Sequence, residues 1–358
     1  MYQKCIYFDT IYYTSVLDKI GLAGGLIMEI GKLPNQALKE IVFSNIRYKR
    51  NEIIQGAAIG KDNAIIDFGD EICVISTDPI TGATKDIGRL AIHISCNDVA
   101  SSGAEPIGAL LTILAPPSTT EEDLDLIMKE AGEAAEELKI EIMGGHTEVT
   151  DAVNRVVIST AVLGKQNKIK MMDPRKVKVG DKVLITKYAG VEGTSILAKE
   201  LEEYLVGKMD REKILEAQNM GNMISVVREG VICGEIGVHY MHDITEGGVL
   251  GAVWEGAVAV NKGIKIYENL IPIKEVTREI ASILKIDPYR LISSGSMLII
   301  AGEEKSDIIQ KKLKEEGIEV TLIGEIIEEG IVIEREGRIE SIEPPASDEL
   351  YKALSILG

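Results

Sequence analysis

Four aspartates in short polar segments are the residues whose type and spacing best fit a chemical role. Asp62, Asp78, Asp98 and Asp243 are far apart in the chain, and each lies where a predicted apolar strand or helix begins or ends. Side chains at such positions converge on clefts. Magnesium takes few protein carboxylates, keeps several waters and fills its remaining positions with substrate phosphates. The pattern therefore predicts a magnesium–nucleotide site with these four aspartates as metal ligands.

Two of these aspartates, Asp78 and Asp243, also have a plainer structural interpretation. Asp78 follows an apolar strand and precedes Pro79, so it could simply start an Asx turn. Asp98 lies in an apolar helical segment, where a carboxylate is costly unless it is paired or bound to a cation, and this favours a functional role. Asp243 could cap the helix that Gly247 and Gly248 open. A helix start also binds phosphate, so the two roles can coexist.

Composition excludes several classes of protein. The chain has 358 residues, of which 45% are hydrophobic and 27% charged, enough for two globular domains. Its net charge of −18 argues against a nucleic-acid partner, because a phosphate backbone requires a basic surface. We find no apolar run of the roughly 18 to 20 residues that span a bilayer and expect no membrane partner. The four cysteines are scattered without CxxC pairs, which indicates a reducing cytoplasm.

Strand and helix patterns alternate in both halves of the chain, which predicts an α/β (α+β) fold whose two layers meet at a cleft. The first half is predicted to contain strand 71–76, helix 87–102, strand 107–114 and a helix capped by Ser118 and Glu121 that ends at Lys139. Helical patterns in the second half cover 193–206 and 211–232, and short charged strands with a polar tail follow Gly324.

Five ordered segments resemble the AIR synthetase superfamily, which includes aminoimidazole ribonucleotide synthetase, thiamine-monophosphate kinase, selenophosphate synthetase and the hydrogenase-maturation branch HypE. The resemblance covers roughly residues 51–301, and its segments are Gly60-Lys61-Asp62, Ser76-Thr77-Asp78, Asn97-Asp98 with Gly103-Ala104-Glu105-Pro106, Gly144 to Glu148, and Asp243 to Gly248. It implies a PurM-like fold of two α/β domains, a homodimer formed by the N-terminal sheets, and ATP with Mg²⁺ in a cleft near the interface. We expect a PurM-like ATP-binding domain (28–170), a C-terminal domain (171–340), an N-terminal extension (1–27) and a tail (341–358).

The resemblance also implies roles for individual residues. We expect phosphoryl transfer from magnesium-ATP to an oxygen of a small or protein-bound acceptor, with catalysis from positioning and charge neutralisation. The candidate nucleotide-binding residues are Lys61, Asn97, Gly144, Gly145, Thr147 and Thr245. The candidate catalytic residues are Asp98, His146, Glu148 and Glu246. Glu148 or Glu246 would be the base, and His146 would transfer a proton or donate a hydrogen bond.

The match is most similar to HypE, through the run Asp86 to Ala91 followed by Asn97-Asp98-Val99-Ala100. HypE dehydrates a carbamoyl group carried on a C-terminal cysteine, whereas the last cysteine here is Cys233, and His146 stands where that branch has an acidic residue. The acceptor therefore stays open. The alternatives are a small-molecule kinase similar to thiamine-monophosphate kinase, or a nucleotide-binding module that acts through a maturation partner without catalysis.

Overall fold

The computed structural model describes residues 33, 35–59, 61–81, 85–345 and 347–357. The predicted N-terminal extension, residues 1–27, lies outside them. Among the described residues, no helix is long and apolar enough to cross a membrane.

A six-stranded sheet forms the first half of the described chain. Its strands lie in the order β1-β2-β3-β6-β4-β5, and all neighbours are antiparallel except the parallel pair β4 and β5. The strands are β1 (Ile53–Gln55), β2 (Ala64–Asp67), β3 (Glu71–Ile80), β4 (Glu105–Ala115), β5 (Glu141–Val149) and β6 (Val157–Asn167).

Two helices cover one face of this sheet, α1 (Ile87–Ala100) and α2 (Glu121–Leu138). Successive side chains of β3, β4 and β6 point to opposite faces of the sheet. Those on the face toward α1 and α2 pack beneath the helices in a single hydrophobic core. The opposite set on β4 is exposed and includes Ile107 and Leu110. The capping box of α2 is formed by Thr120 and Asp123, so the predicted cap of Ser118 with Glu121 was placed two residues too early.

A seven-stranded sheet forms the second half, in the order β13-β12-β9-β11-β7-β10-β8. Its strands are β7 (Lys182–Thr186), β8 (Tyr240–Asp243), β9 (Gly263–Tyr267), β10 (Met297–Ala301), β11 (Val320–Ile327), β12 (Ile331–Arg335) and β13 (Arg338–Ser341). The main helices are α3 (Val191–Glu200), α4 (Arg211–Asn219), α5 (Val227–Ile236), α6 (Gly248–Val260), α7 (Glu275–Leu284), α8 (Glu303–Glu315) and α9 (Glu349–Leu354).

Two details of the second half differ from the sequence prediction. The helix predicted over 211–232 is interrupted by a 3-10 turn, Met220–Met223, so that α4 and α5 are separate helices. The predicted polar tail contains α9, whose Leu350 and Ala353 are buried in the core formed with α3, α4 and α7. The Asp348 carboxylate anchors this segment, because it accepts hydrogen bonds from the backbone N–H groups of Gly247, Ile292 and Leu350.

The two halves are joined by close contact between α1 and the segment that leads into α5. The Asn97 side-chain amide donates to the Ile224 carbonyl at 2.7 Å and accepts from the Val226 N–H at 2.8 Å. A Cβ atom added at Gly230 would lie 2.2 Å from the Ala100 carbonyl oxygen. The glycine therefore lets the backbones of α1 and α5 approach, which fixes the position of Asp98 relative to the second sheet.

Replacing Gly230 with alanine is expected to destabilise the protein, by about 1 to 3 kcal/mol, because the methyl group overlaps backbone rather than a movable side chain. Gly132→Ala in α2 is the matched control, since a Cβ atom there meets no atom within 4 Å. This change should raise the free energy of unfolding by up to about 1 kcal/mol through helix propensity. Urea unfolding measures both, and equal effects of the two substitutions would contradict the role of the α1–α5 contact.

Candidate functional site

The buried aspartates converge where the first sheet and α1 meet the edge strand β8 of the second sheet. Asp62 precedes β2, Asp98 lies in the last turns of α1, and Asp243 is the last residue of β8. Ligand atoms of Asp62, His242 and Asp243 all lie within 4.8 Å of one another. The charges of Asp243, Asp78 and Asp62 all act on Asp98. The structure thus brings together the four aspartates predicted from sequence.

Asp243 is the residue whose environment most clearly requires a ligand. Its side chain is 1% exposed, and neither carboxylate oxygen has a hydrogen-bond partner among the described residues. Burial and the nearby Asp62 charge raise the pKa of Asp243 to about 7, although His242 opposes the shift. An unpartnered buried carboxylate is costly, and binding of a cation relieves that cost.

Asp98 is held in a defined orientation within this cluster. Its Oδ2 accepts a hydrogen bond from the Ser76 hydroxyl at 2.6 Å, and its backbone carbonyl accepts from the Asn63 side chain at 2.7 Å. Burial raises the pKa of Asp98 well above its ordinary value, and the charges of Asp243, Asp78 and Asp62 add to this effect. The hydrogen bond from Ser76 therefore does not offset the combined negative charge of these carboxylates.

His242 is a buried cation within the cluster that the sequence interpretation did not assign. Its Nδ1 lies 2.9 Å from Asp62 Oδ2, and its Nε2 lies 2.9 Å from Glu255 Oε2 on α6. Burial lowers the pKa of His242, but Tyr240, Asp62 and Glu255 outweigh burial and raise it well above the ordinary range. A protonated imidazole that donates both N–H groups has no lone pair for a metal. We infer that His242 orients Asp62 rather than binding the metal.

Glu255 had a recognisable signal in the sequence, because it is the only charged residue of the otherwise apolar α6 segment. A charge in such a helix requires a buried partner, and here the partner is His242. The partner could not be identified from sequence, since β8 and α6 become neighbours only through the fold.

The remaining candidate residues fall into three groups. Lys61, Thr245 and Glu246 are half-buried and adjoin Asp62 or Asp243 along the chain. The Asn97 side chain contacts the backbone of Ile224 and Val226 at the junction between the halves.

The Gly144 to Glu148 segment lies apart from the aspartates within one chain. It forms the exposed edge strand β5, where His146 is 3.3 Å from Glu148. Across the sheet His146 pairs with Thr112 of β4, then Ser159 of β6, then Pro79 of β3. His146 therefore lies three strand spacings, about 14 Å, from Pro79, the residue next to Asp78. Position 145 requires glycine for steric reasons, because a Cβ atom there would lie 1.8 Å from the Leu111 carbonyl oxygen.

The sequence and the two-domain α/β fold match a known family. Residues 60–166 match the family domain "AIR synthase related protein, N-terminal domain". Residues 178–335 match the family domain "AIR synthase related protein, C-terminal domain". The chain belongs to the AIR synthase related family. The resemblance predicted from the five segments is confirmed, and so is the PurM-like two-domain fold.

The chain is similar in sequence to two hydrogenase-maturation proteins and in fold to a solved structure of another. A putative hydrogenase expression/formation protein of Methanocaldococcus jannaschii is 29% identical over 316 residues, covering 85% of this chain and 91% of that protein. Carbamoyl dehydratase HypE of Escherichia coli is 28% identical over 255 residues, covering 70% of this chain and 73% of that protein. A solved structure of HypE in complex with ATP has a TM-score of 0.67 at 21% identity, covering 90% of this chain and 97% of that chain.

We expect Asp243→Asn to remove stabilisation by Mg²⁺ without harming the metal-free protein, because the substitution deletes an unpartnered buried charge. Wild-type protein in Mg²⁺ at about 100 times the dissociation constant should gain roughly 2.7 kcal/mol of unfolding free energy. Asp181→Asn is the control, since this buried aspartate pairs with His239 outside the cluster and should keep the Mg²⁺ response. Thermal unfolding with Mg²⁺ and with EDTA measures the effect. An Asp243→Asn variant that responds to Mg²⁺ as wild type does would contradict the site.

The same site predicts a pH dependence. The pKa of Asp243 is about 7 in the folded chain against an ordinary value of 3.8, so the folded state binds the proton more tightly. Without Mg²⁺, the free energy of unfolding should therefore fall as pH rises from about 4 to about 7, at up to about 1.4 kcal/mol per pH unit. Mg²⁺ competes with this proton, so its stabilising effect should be larger at pH 8 than at pH 6. Asp243→Asn should flatten both trends in urea unfolding.

Proposed function

We propose that the protein is a magnesium-dependent enzyme that uses ATP to phosphorylate an oxygen of an acceptor. The observation that carries this proposal is the buried, unpartnered Asp243 carboxylate beside Asp62 and Asp98. Because both ring nitrogens of His242 already contact carboxylates, the remaining candidate ligand atoms are carboxylate oxygens, which suit Mg²⁺ better than a softer metal. ATP is the nucleotide because a HypE of the same fold binds it.

Asp62 and Asp243 would hold the metal. Asp98, which the hydrogen bond from Ser76 keeps in place, would orient the waters bound to the metal. When bound, Mg²⁺ would neutralise charge on the phosphates. His242 keeps Asp62 in place through the hydrogen bond at 2.9 Å and balances part of the cluster's negative charge. Lys61 is half-buried, and burial lowers its pKa while Asp62 opposes the shift. It would donate to a phosphate oxygen from beside Asp62.

The exposed β5 edge supports a homodimer as part of the proposal. Ile107, Leu110 and Met143 are apolar side chains exposed on β4 and β5, at 43%, 42% and 45%. An open apolar sheet face beside an unpaired edge strand is the kind of surface that a second copy covers.

The dimer is tested by Leu110→Glu, which places a charge in the middle of the proposed interface. We expect sedimentation equilibrium at micromolar concentration to show a dimer for wild type and a monomer for this variant. Ile339→Glu is the control, because Ile339 is a 64% exposed apolar residue on β13 of the other sheet and should leave the dimer intact. A wild-type monomer at all concentrations would refute the proposed assembly.

The central test of the function is ATP turnover with Mg²⁺ and with EDTA, with and without candidate acceptors. We expect acceptor-stimulated turnover that Asp62→Asn reduces at least 100-fold, because phosphoryl transfer depends on charge neutralisation. Asp181→Asn should keep wild-type turnover. Magnesium-dependent ATP binding without turnover would instead support a non-catalytic module that acts through a maturation partner. ATP binding equally well in EDTA would contradict the metal bridge.

A further inference from the structure

Glu255 on α6 has one hydrogen-bond partner among the described residues, the imidazole of His242. Its Oε2 lies 2.9 Å from His242 Nε2, and its side chain is 13% exposed. A buried carboxylate in an otherwise apolar helix is costly, and apolar residues in place of a buried ion pair are often no less stable. The contact between Glu255 and His242 therefore requires an explanation other than folding stability.

The backbone of Glu255 is held in place by close packing of α6. A Cβ atom added at the next residue, Gly256, would lie 3.4 Å from Cε1 of Tyr240 on β8, so the helix lies directly against the strand. The start of α6 is fixed as well. A Cβ atom at Gly248, whose φ is +59°, would lie 2.6 Å from the Tyr289 carbonyl oxygen. Helix α6 therefore presents the Glu255 carboxylate to β8 from a defined position.

The contacts of Glu255 continue through His242 to Asp62. The second ring nitrogen of His242, Nδ1, lies 2.9 Å from Asp62 Oδ2. The Asp62 side chain is 23% exposed and that of His242 is 3% exposed, so Asp62 reaches the cleft and His242 lies behind it. The last side-chain torsion of a histidine has broad minima, so it does not fix the ring by itself. The contacts at the two nitrogens set the orientation of the imidazole.

Holding the ring requires a hydrogen-bonding group of the right length at position 255, and it does not require a charge there. A glutamine amide can accept from an Nε2–H group or donate to an Nε2 that carries no proton. In either case the imidazole keeps its Nδ1–H group on Asp62. The reach of the side chain at position 255 is therefore the property that orients His242.

We propose that Glu255 is a positioning residue of the metal site: it holds the His242 imidazole with Nδ1 on Asp62 and so keeps the Asp62 carboxylate directed to the cation. The proposal rests on the proposed function for the cation, but the orientation of the ring does not. Groups that orient a metal ligand in this way typically change metal affinity by roughly 10- to 100-fold when they are removed.

Two substitutions of Glu255 separate length from charge. Glu255→Gln keeps the length of the side chain and removes its charge. Glu255→Asp keeps the charge and shortens the side chain by one carbon–carbon bond, about 1.5 Å. Because the contact to Nε2 is 2.9 Å in the wild type, the shorter carboxylate no longer reaches hydrogen-bond distance.

The orientation of the ring is measured in EDTA, without metal or nucleotide, on the full chain labelled with ¹⁵N in its histidines. The ring resonances of His242 are identified by their loss in His242→Gln. We expect an Nδ1–H resonance that exchanges slowly with water in the wild type and in Glu255→Gln, and fast exchange of this proton in Glu255→Asp. Equally slow exchange in Glu255→Asp would overturn the proposal.

The consequence for the metal is measured as the dissociation constant of Mg²⁺ alone, from thermal unfolding over a range of Mg²⁺ concentrations. Glu255→Asp should weaken Mg²⁺ at least about tenfold, and Glu255→Gln should stay close to the wild type. Asp181→Ala is the control, because it breaks another buried carboxylate–histidine contact, with His239 at 2.8 Å, outside the cluster. Weaker Mg²⁺ binding in Glu255→Gln than in Glu255→Asp would contradict the proposal and indicate that charge is what matters at this position.

The two measurements separate this proposal from the proposed function. If the wild type shows no response to Mg²⁺, the proposed function fails, and the His242 resonances in EDTA still decide whether Glu255 orients the ring. If Mg²⁺ binds the wild type and both Glu255 variants equally well, the role of Glu255 fails alone and the metal site stands.

Discussion

The accumulation of carboxylates at the junction of the two sheets is the constraint on which the rest of the site depends. Asp98 and Asp243 are almost fully buried, and Asp62 and Asp78 add their charges to the same point. His242 is the nearby cation, and its two N–H groups already serve Asp62 and Glu255. Such an arrangement is unfavourable for folding by itself. We propose that a cation and its bound phosphates complete it.

The architecture supports this arrangement from both sides. The Asn97 amide and the close approach at Gly230 hold α1 against the second half, so Asp98 of α1 and Asp243 of the second sheet lie close together. The hydrogen bond from Ser76 and the one from Asn63 fix the end of α1 against the first sheet. Rigid backbone contacts of this kind keep the carboxylates close together despite their repulsion, as a site that binds a cation requires.

The parts of the site that follow local rules were predictable from sequence. An aspartate in an apolar helix, such as Asp98, requires a partner wherever the helix packs, and the glycine-flanked aspartates at element ends required a common cleft. The pairing of His242 with Asp62 and Glu255 was missed, because 180 residues separate His242 from Asp62 and only the fold makes them neighbours. The separation of His146 from Asp78 follows from the strand order, which places β6 and β4 between β3 and β5.

The most direct test of the account is electron–nuclear double resonance of the protein with Mn²⁺ in place of Mg²⁺, in the presence of ATP. The account predicts coupling of the bound Mn²⁺ to ³¹P of the nucleotide and no ¹⁴N coupling from an imidazole, because His242 donates both N–H groups to carboxylates and binds no metal. Strong ¹⁴N coupling from His242, or bound Mn²⁺ without ³¹P coupling, would contradict it.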